Sequence, residues 1–470
     1  MISEIIIDSG LTHEELLDIC AVFAEEEGTC LFFSGGNFET AKTSYLCLFP
    51  KESLWIQEKV IYHQRLGEAA AVLHKDNPWE GLKEFISKGH SSCSSTPEWV
   101  GYFGYELGAF SDHDKQIPYQ KSSIPDAFFH RPLLVLTVEH FFSQIQVKYS
   151  DESFDMLTEN QRKKAQLLCS QRGIQTLIED GKKINRNYQD SIIQLLQPIE
   201  KQEIYKKKIE IAKELILAGD IYQVNLSQQF LLKGKYCPYR IFHRVSVLNP
   251  APFMAFFRFP NFTIVSSSPE RFLCKKGLSL ETRPIKGTAP RGKTPQQDAL
   301  NKHNLIHSIK ERAELLMITD LMRNDLGKIS QTGSVVTEKI WHCETYTNVF
   351  HLISVIRSKA KSTLHPIDLI RSAFPGGSIT GCPKLRSMEV IHELEQRPRG
   401  IYTGSMGYIS ANGDFDFNIA IRTLLCQDEC INIQLGGAIV ADSDPTKECE
   451  EILYKGASIF TILGLSELQK

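Results

Sequence analysis

The sequence predicts a mixed α/β fold with largely antiparallel strands, and three observations carry that expectation. The first third alternates short β-rich runs with helical pieces, an amphipathic helix runs directly into a strand near residue 220, and a hairpin signal sits at Asn412-Gly413. Along the chain, "THEELLDICAVFAEEEG" reads as a helix, "TCLFFSGG" and "RPLLVLTVEHFFSQIQVKY" as β-rich runs, and "HSSCSSTPE" at 90–98 as a serine-rich loop. A polar helical stretch from about 158 to 202 has few aromatics and the weakest core signal, which places a boundary near 195–203 and divides an N-terminal region, 1–195, from a second region, 200–470. In "YKKKIEIAKELILAGDIYQVNLSQQF", Ile209, Ala212, Leu215 and Ile216 recur at helical spacing; the helix stops at Gly219 and a strand follows from Ile221 to Phe230. In "MGYISANGDFDFNIAIRTLLC" the second strand of the hairpin puts Phe415, Phe417, Ile419 and Ile421 on one face and Asp416, Asn418 and Arg422 on the other. Arg422 is then a cross-strand partner of Asp416, the reading these residues alone slightly favour, or an anion ligand.

Composition narrows the function. The chain has 470 residues, 42% hydrophobic and 23% charged, enough for one large domain or two to three ordinary ones. Its 53 basic and 56 acidic residues leave a net charge of −3, so no overall field recruits nucleic acid or an anionic membrane surface. Twelve cysteines run from Cys20 to Cys449 without a CxxC pair or a Cys/His spacing suited to zinc, which favours reduced thiols and a cytoplasmic location. The first residues lack the pattern of a secretory signal, no stretch has the length of a spanning helix, and no internal repeat is present.

The chemistry concentrates after the boundary. In "ETRPIKGTAPRG", residues 281–292, Lys286 lies between Arg283 and Arg291 with only Glu281 opposing them, so it is expected to hold its proton less tightly than usual. Glu270, in "SSSPERF", is a candidate general acid. Two E-x-x-E pairs, Glu311/Glu314 and Glu448/Glu451, lie in otherwise apolar helices, the second opened by Asp444 and Pro445. Either pair alone reads more readily as a solvated helix face, with Lys310 beside Glu314; if the helices converge, four carboxylates offer the hard oxygen ligands Mg²⁺ requires. "FPGGSITGCPK" leads through Ser378 and Thr380 into a helix starting about Pro383, an anion site or a plain tight helix entry. Gly436 and Gly437 allow close approach of backbone to a ligand or mark a strand bend, and His351 is a core histidine or a candidate acid or orienting group. Together these residues describe a pocket for a small dianion with Mg²⁺ at one end and Lys286 as nucleophile or base.

The blocks "AGDIYQVNLSQ", "SSSPERF", "ETRPIKGTAPRG", "ERAELLMITDLMRNDLG", "FPGGSITGCPK", "GIYTGSMGYIS", "FNIAIRT" and "GGAIVADSDP", in this order from residue 218 to residue 445, resemble those of the chorismate-utilising enzymes; "FFSGG" and "WVGYFGYELG" agree more loosely. Within the family the chain is most similar to the members that make 4-amino-4-deoxychorismate for the p-aminobenzoate branch of folate synthesis, because Lys286 stands where the anthranilate-forming members usually carry alanine. The resemblance implies a two-domain fold, a sandwich of antiparallel sheets flanked by helices with the site in the cleft. It implies that Lys286 adds to chorismate at C2 as the 4-hydroxyl leaves, protonated by Glu270, and that ammonia then enters at C4; Arg283 and Arg291 would help by lowering the lysine pKa. Glu314 and Glu451 would ligate Mg²⁺, with Glu311 and Glu448 acting through water. His351 would sit beside the leaving group, Tyr402, Arg422 and the Gly436-Gly437 backbone would hold the enolpyruvyl carboxylate, and Ser378, Thr380 and Lys455 would complete the pocket.

Members that add water carry lysine where this chain has Gln223, which argues against water activation. Cys449, Ile452 and Cys382 depart from the tyrosine, threonine and alanine common in the family. No cysteine sits on the glycine-flanked elbow of a glutamine amidotransferase, so ammonia is expected from a separate glutaminase subunit or from free ammonium. The rival expectations are an anthranilate-forming enzyme and a catalytically silent binding homologue that regulates its glutaminase partner.

Overall fold

The computed structural model describes residues 2–465 apart from 8, 9, 37, 88–93, 113, 114, 116, 141–143 and 189–191; the start of the serine-rich loop, 90–93, lies outside the described residues. The β-rich runs become strands that pair antiparallel in one continuous path. Gln223–Lys235 pairs with Cys430–Ile439, which pairs with Thr423–Gln427, and the path continues through Thr263–Ser268 and Phe253–Arg258 to Cys30–Phe33. From there it runs through Thr43–Gln57, Ala127–Glu139, Pro97–Phe103, Ser405–Ser410 and Phe415–Asn418 to Arg271–Lys276, Ser279–Arg283 and Val349–Lys359. Strands from both sides of the 195–203 segment therefore pair with each other, Cys30–Phe33 with Phe253–Arg258 and Pro97–Phe103 with Ser405–Ser410.

The path folds over on itself. Val100, Tyr102 and Phe128 from one stretch share a core with Ala255, Phe257, Ile264 and Leu425 from another, so two sheet layers face each other across apolar side chains. Helices cover both outer faces. His13–Phe23, Gln171–Asn187, Gln202–Leu217, Pro238–Leu248 and Pro445–Ile462 contribute to the core on one side, and Pro78–Ser87, Ile309–Ile329 and Pro366–Ala373 to the core on the other. The expected mixed α/β architecture of antiparallel sheets flanked by helices is what the chain adopts.

Two local expectations are corrected. The polar helical stretch from 158 to 202 is two helices, Glu159–Leu168 and Gln171–Asn187, followed by a strand, Ile192–Pro198, that pairs with Gln223–Lys235. The run "IIQLL" is too short to hold a helix alone and finds a ready partner in the edge of the Gln223–Lys235 strand. Arg422 is not the partner of Asp416. Arg271 takes that carboxylate with two bonds, Nε to Oδ1 at 3.0 Å and Nη2 to Oδ2 at 2.7 Å, from the neighbouring strand. The strand ends at Asn418, and Arg422, at φ 51°, lies beyond it.

Candidate active site

Lys286 lies in the strand Ile285–Pro290, whose pairing with Val349–Lys359 slips by one residue between Ile285 and Thr288. The slip is a β-bulge containing Lys286 and Gly287, and a bulge turns a side chain out of the ladder's regular alternation. Gly287 has φ 79°, and a Cβ there would lie 2.9 Å from Oε2 of Glu311 and 3.1 Å from Cδ1 of Leu305. The glycine after the lysine is thus required twice, by its backbone and by the carboxylate beside it. Gly287→Ala is expected to lose roughly 1–2 kcal/mol to the left-handed backbone alone, with a fall in turnover that exceeds the loss of stability. Parallel urea titrations and kcat measurements check this.

The Lys286 ammonium donates to the carbonyl of Ser378 at 3.2 Å, and the Ser378 hydroxyl donates to Oε1 of Glu270 at 2.6 Å. One residue thereby bridges the candidate nucleophile and the candidate acid. Glu270 is buried, and burial pushes its pKa up to about 7 against the opposing pull of the Ser378 hydroxyl, Lys286, the Ile285 N–H and Arg422. The Lys286 pKa is lowered, as the sequence reading expected, but the cause assigned there is overturned. Burial lowers it first and Lys455 adds to this, while Glu314, Glu270 and Glu451 pull it back up. Arg283 is turned to Glu281, at 2.7 Å, and Glu344, at 3.2 Å; Arg291 is held by Asp298 at 2.8 and 2.9 Å. Neighbours in sequence are not neighbours in charge once a bulge redirects one side chain.

His351 faces Lys286's strand. Its Nδ1 meets Thr288 Oγ1 at 2.9 Å, Tyr346 packs edge-on at 5.1 Å, and Nε2 is buried with no hydrogen-bond partner among the described residues. Burial, reinforced by Arg422, lowers its pKa to about 3, so the ring is neutral near pH 7 and suits orienting rather than acid work. Arg422 makes no ion pair or side-chain hydrogen bond among the described residues; burial lowers its pKa, and the ionisable groups around it are Tyr346, Tyr454 and Glu270. A guanidinium that no carboxylate bonds directly is ready for a ligand anion.

Tyr402 is buried, and the Arg399 guanidinium lies over its ring at 5.6 Å. A Cβ on Gly436 would lie 2.5 Å from its hydroxyl, so glycine is what lets this strand pass. The Gly436 carbonyl accepts from Lys455 Nζ at 3.1 Å, and Lys455 pairs with Glu451 at 2.7 Å. Thr380 is fully buried with its hydroxyl turned back to the carbonyl of Gly376 at 2.9 Å, a role in shaping the loop.

The helices Ile309–Ile329 and Pro445–Ile462 bring the two E-x-x-E pairs within electrostatic reach of each other. The pKa values of Glu311 and Glu314 are raised, by burial and by neighbouring carboxylates including Glu451. Glu448 is also raised, chiefly by burial and then by Glu451; its Oε1 accepts from Ser443 at 2.6 Å, while Oε2 is buried without a partner. Of the four only Glu451 is lowered, where burial is outweighed by Lys455 together with Lys310 and Lys286. Lys310 reaches Glu314 at 3.8 Å. Among the described residues no three acidic, His or Cys side chains gather closely enough to enclose an ion. The mutual repulsion and the orphaned Glu448 oxygen nevertheless make this donor set suit a hard divalent cation.

A family model described as chorismate binding enzyme matches residues 40–461. The chain belongs to the chorismate binding enzymes. It is 35% identical over 372 residues to aminodeoxychorismate synthase component 1 of Bacillus subtilis (strain 168), covering 78% of this chain and 77% of that protein. It is 35% identical over 401 residues to the chloroplastic aminodeoxychorismate synthase of Arabidopsis thaliana, covering 80% of this chain and 42% of that longer protein. Among solved structures, anthranilate synthase component I from Streptococcus pneumoniae TIGR4 superposes with a TM-score of 0.72 at 27% identity, covering 90% of this chain and 93% of that one. The resemblance read from the motifs is upheld: this chorismate binding enzyme is similar to proteins named for aminodeoxychorismate synthesis and to anthranilate synthases.

Residues that sequence reasoning missed in this chorismate binding enzyme are Thr288, Tyr346 and Asn225. Asn225 carried a signal: it alternates with Val224 and Leu226, which enter the core, so its own side chain faces the other way. Gln223 shares that face and is fully buried with both amide atoms unpaired. Among the described residues no helix is long and apolar enough to cross a membrane.

Proposed function

We propose that this enzyme aminates chorismate with ammonia to give 4-amino-4-deoxychorismate, through a covalent adduct on Lys286. The observation that carries the reading is the Lys286–Ser378–Glu270 bridge, which sets a half-buried amine of lowered pKa beside a buried carboxyl that keeps its proton up to about pH 7. The neutral Lys286 amine forms a bond to ring C2. The two ring double bonds shift toward C4, the C4–O bond breaks, and the oxygen leaves as water with the proton of Glu270. Ammonia then bonds to C4, the double bonds return, and the C2–N bond breaks to release Lys286 as the free amine. Neutral His351 would orient the departing hydroxyl, Arg422 and Tyr402 would hold the enolpyruvyl carboxylate beside the Gly436-Gly437 backbone, and Lys455 would add positive charge.

Glu311, Glu314, Glu448 and Glu451 would hold Mg²⁺, which when bound would neutralise the ring carboxylate and draw electron density from the ring. Ammonia would come from a glutaminase subunit, in keeping with the "component 1" in the relative's name and with the absence of an amidotransferase elbow in the sequence. Lys286 in place of alanine favours this reading over anthranilate formation.

The test is incubation of the purified chain with chorismate, MgCl₂ and ammonium at mildly alkaline pH, with products resolved by chromatography and mass. The expected product is 4-amino-4-deoxychorismate, and anthranilate or no turnover would reject the reading. With Glu451→Gln, both product formation and the calorimetric heat of Mg²⁺ binding are expected to be lost.

A further inference from the structure

Lys384 is a buried lysine to which the chemistry proposed above gives no task. It opens the helix Lys384–Glu395, where the helix dipole disfavours a cation, and its side chain is only 11% exposed. Its partners explain its presence. Nζ lies 2.5 Å from Oδ2 of Asp325, a side chain 1% exposed in the helix Ile309–Ile329, and donates to the carbonyl of Ala373 at 2.7 Å. Ala373 is the last residue of the helix Pro366–Ala373. A single ammonium thus ties together the residue before the 374–383 loop, the residue after it, and the helix that carries Glu311 and Glu314.

The loop so held is the one whose Ser378 serves Lys286 through its carbonyl and Glu270 through its hydroxyl. It is pressed against the same helix, because a Cβ on Gly377 would lie 2.6 Å from Cδ2 of Leu321. Stability alone does not call for an ion pair here, since buried pairs in other proteins can be exchanged for apolar residues of similar volume without loss.

We propose that the Lys384–Asp325 pair is a positioning clamp that fixes the 374–383 loop on the carboxylate-bearing helix, so that Ser378 engages Lys286 and Glu270 together. This rests on the roles given to those two residues above.

The test uses the full chain with chorismate, Mg²⁺ and ammonium, comparing wild type with Lys384→Met, Asp325→Asn, Lys384→Arg and the apolar double replacement Lys384→Met/Asp325→Leu, the last chosen to keep a packed fold. The first two and the double variant are expected to lose kcat by at least about tenfold, the scale of a small misplacement of reacting groups, while KM for chorismate stays within about threefold. Lys384→Arg is expected to recover most of the rate. The break of the pH profile set by Glu270, which faces Lys286 and Arg422, is expected to move to higher pH, because the Ser378 hydroxyl no longer favours the ionised carboxylate. Unchanged kcat and pH profile in a folded double variant, or a loss confined to KM or melting temperature, would overturn the clamp. A wild-type chain that fails to aminate would overturn the underlying roles and the clamp with them, and it would do so before any variant is compared.

Discussion

Lys286→Ala is expected to lower amination by at least about a thousandfold, the scale on which removing an enzymatic nucleophile acts, while leaving the fold and Mg²⁺ binding intact. Among the described residues the side chain makes one hydrogen bond, to the Ser378 carbonyl, so its removal takes little polar contact from the fold. Its removal also takes away the charge that opposes the raised pKa values of Glu311 and Glu314, so those carboxyls should be harder still to ionise in the absence of Mg²⁺. Mass spectrometry of wild type quenched during turnover should show the adduct on the peptide containing Lys286. Wild-type turnover in the Lys286→Ala variant, or an adduct elsewhere, would remove the covalent route.

Glu270→Gln is expected to cost about 10²–10⁴ in kcat, the contribution of a placed general acid. The pH dependence follows from the two pKa directions. Glu270 must hold its proton, and its pKa of about 7 sets one break of the rate profile in the free enzyme, whereas Lys286, whose pKa is lowered, must lose its proton and sets the other. The variant should lose the break near pH 7 and keep the rise that follows loss of the Lys286 proton. Stability gives an independent reading. Folded Glu270 keeps its proton up to about 7 while the unfolded side chain releases it near 4.5, so the folded state binds more protons in that window and wild-type stability should fall as pH rises through it. Glu270→Gln should flatten that slope in denaturation experiments at pH 4.5, 6 and 7.5. An unaltered slope would mean that Glu270 is not the proton holder.

Periodicity made much of the architecture legible. Ile209, Ala212, Leu215 and Ile216 foretold the helix Gln202–Leu217, and the Asn412-Gly413 turn foretold the pairing of Ser405–Ser410 with Phe415–Asn418. The strand Ile192–Pro198 was not legible, because its polar surroundings read as helix and its partner comes from a later segment. The site shows the same division. The two E-x-x-E pairs could be seen as facing carboxylates within each helix, but only the packing of the two helices showed that Glu311 and Glu314 feel Glu451. Ser378 was expected in the pocket; that it bridges Lys286 and Glu270 was not, since residues 92 and 108 positions apart meet only through the sheet and the loop.

The sequence by itself singled out the candidate side chains that the fold gathers around Lys286, and indicated that this lysine would hold its proton loosely. These follow from residue type and local spacing. The tertiary structure alone decided why. Arg283 and Arg291, the obvious neighbours, are neutralised by Glu281, Glu344 and Asp298, and the lysine is depressed by burial and by Lys455, which stands 169 positions away in sequence. A pKa answers to distance through space and to the water excluded around the group, and neither is set until the bulge at Lys286-Gly287, the 374–383 loop and the Pro445–Ile462 helix close on one another.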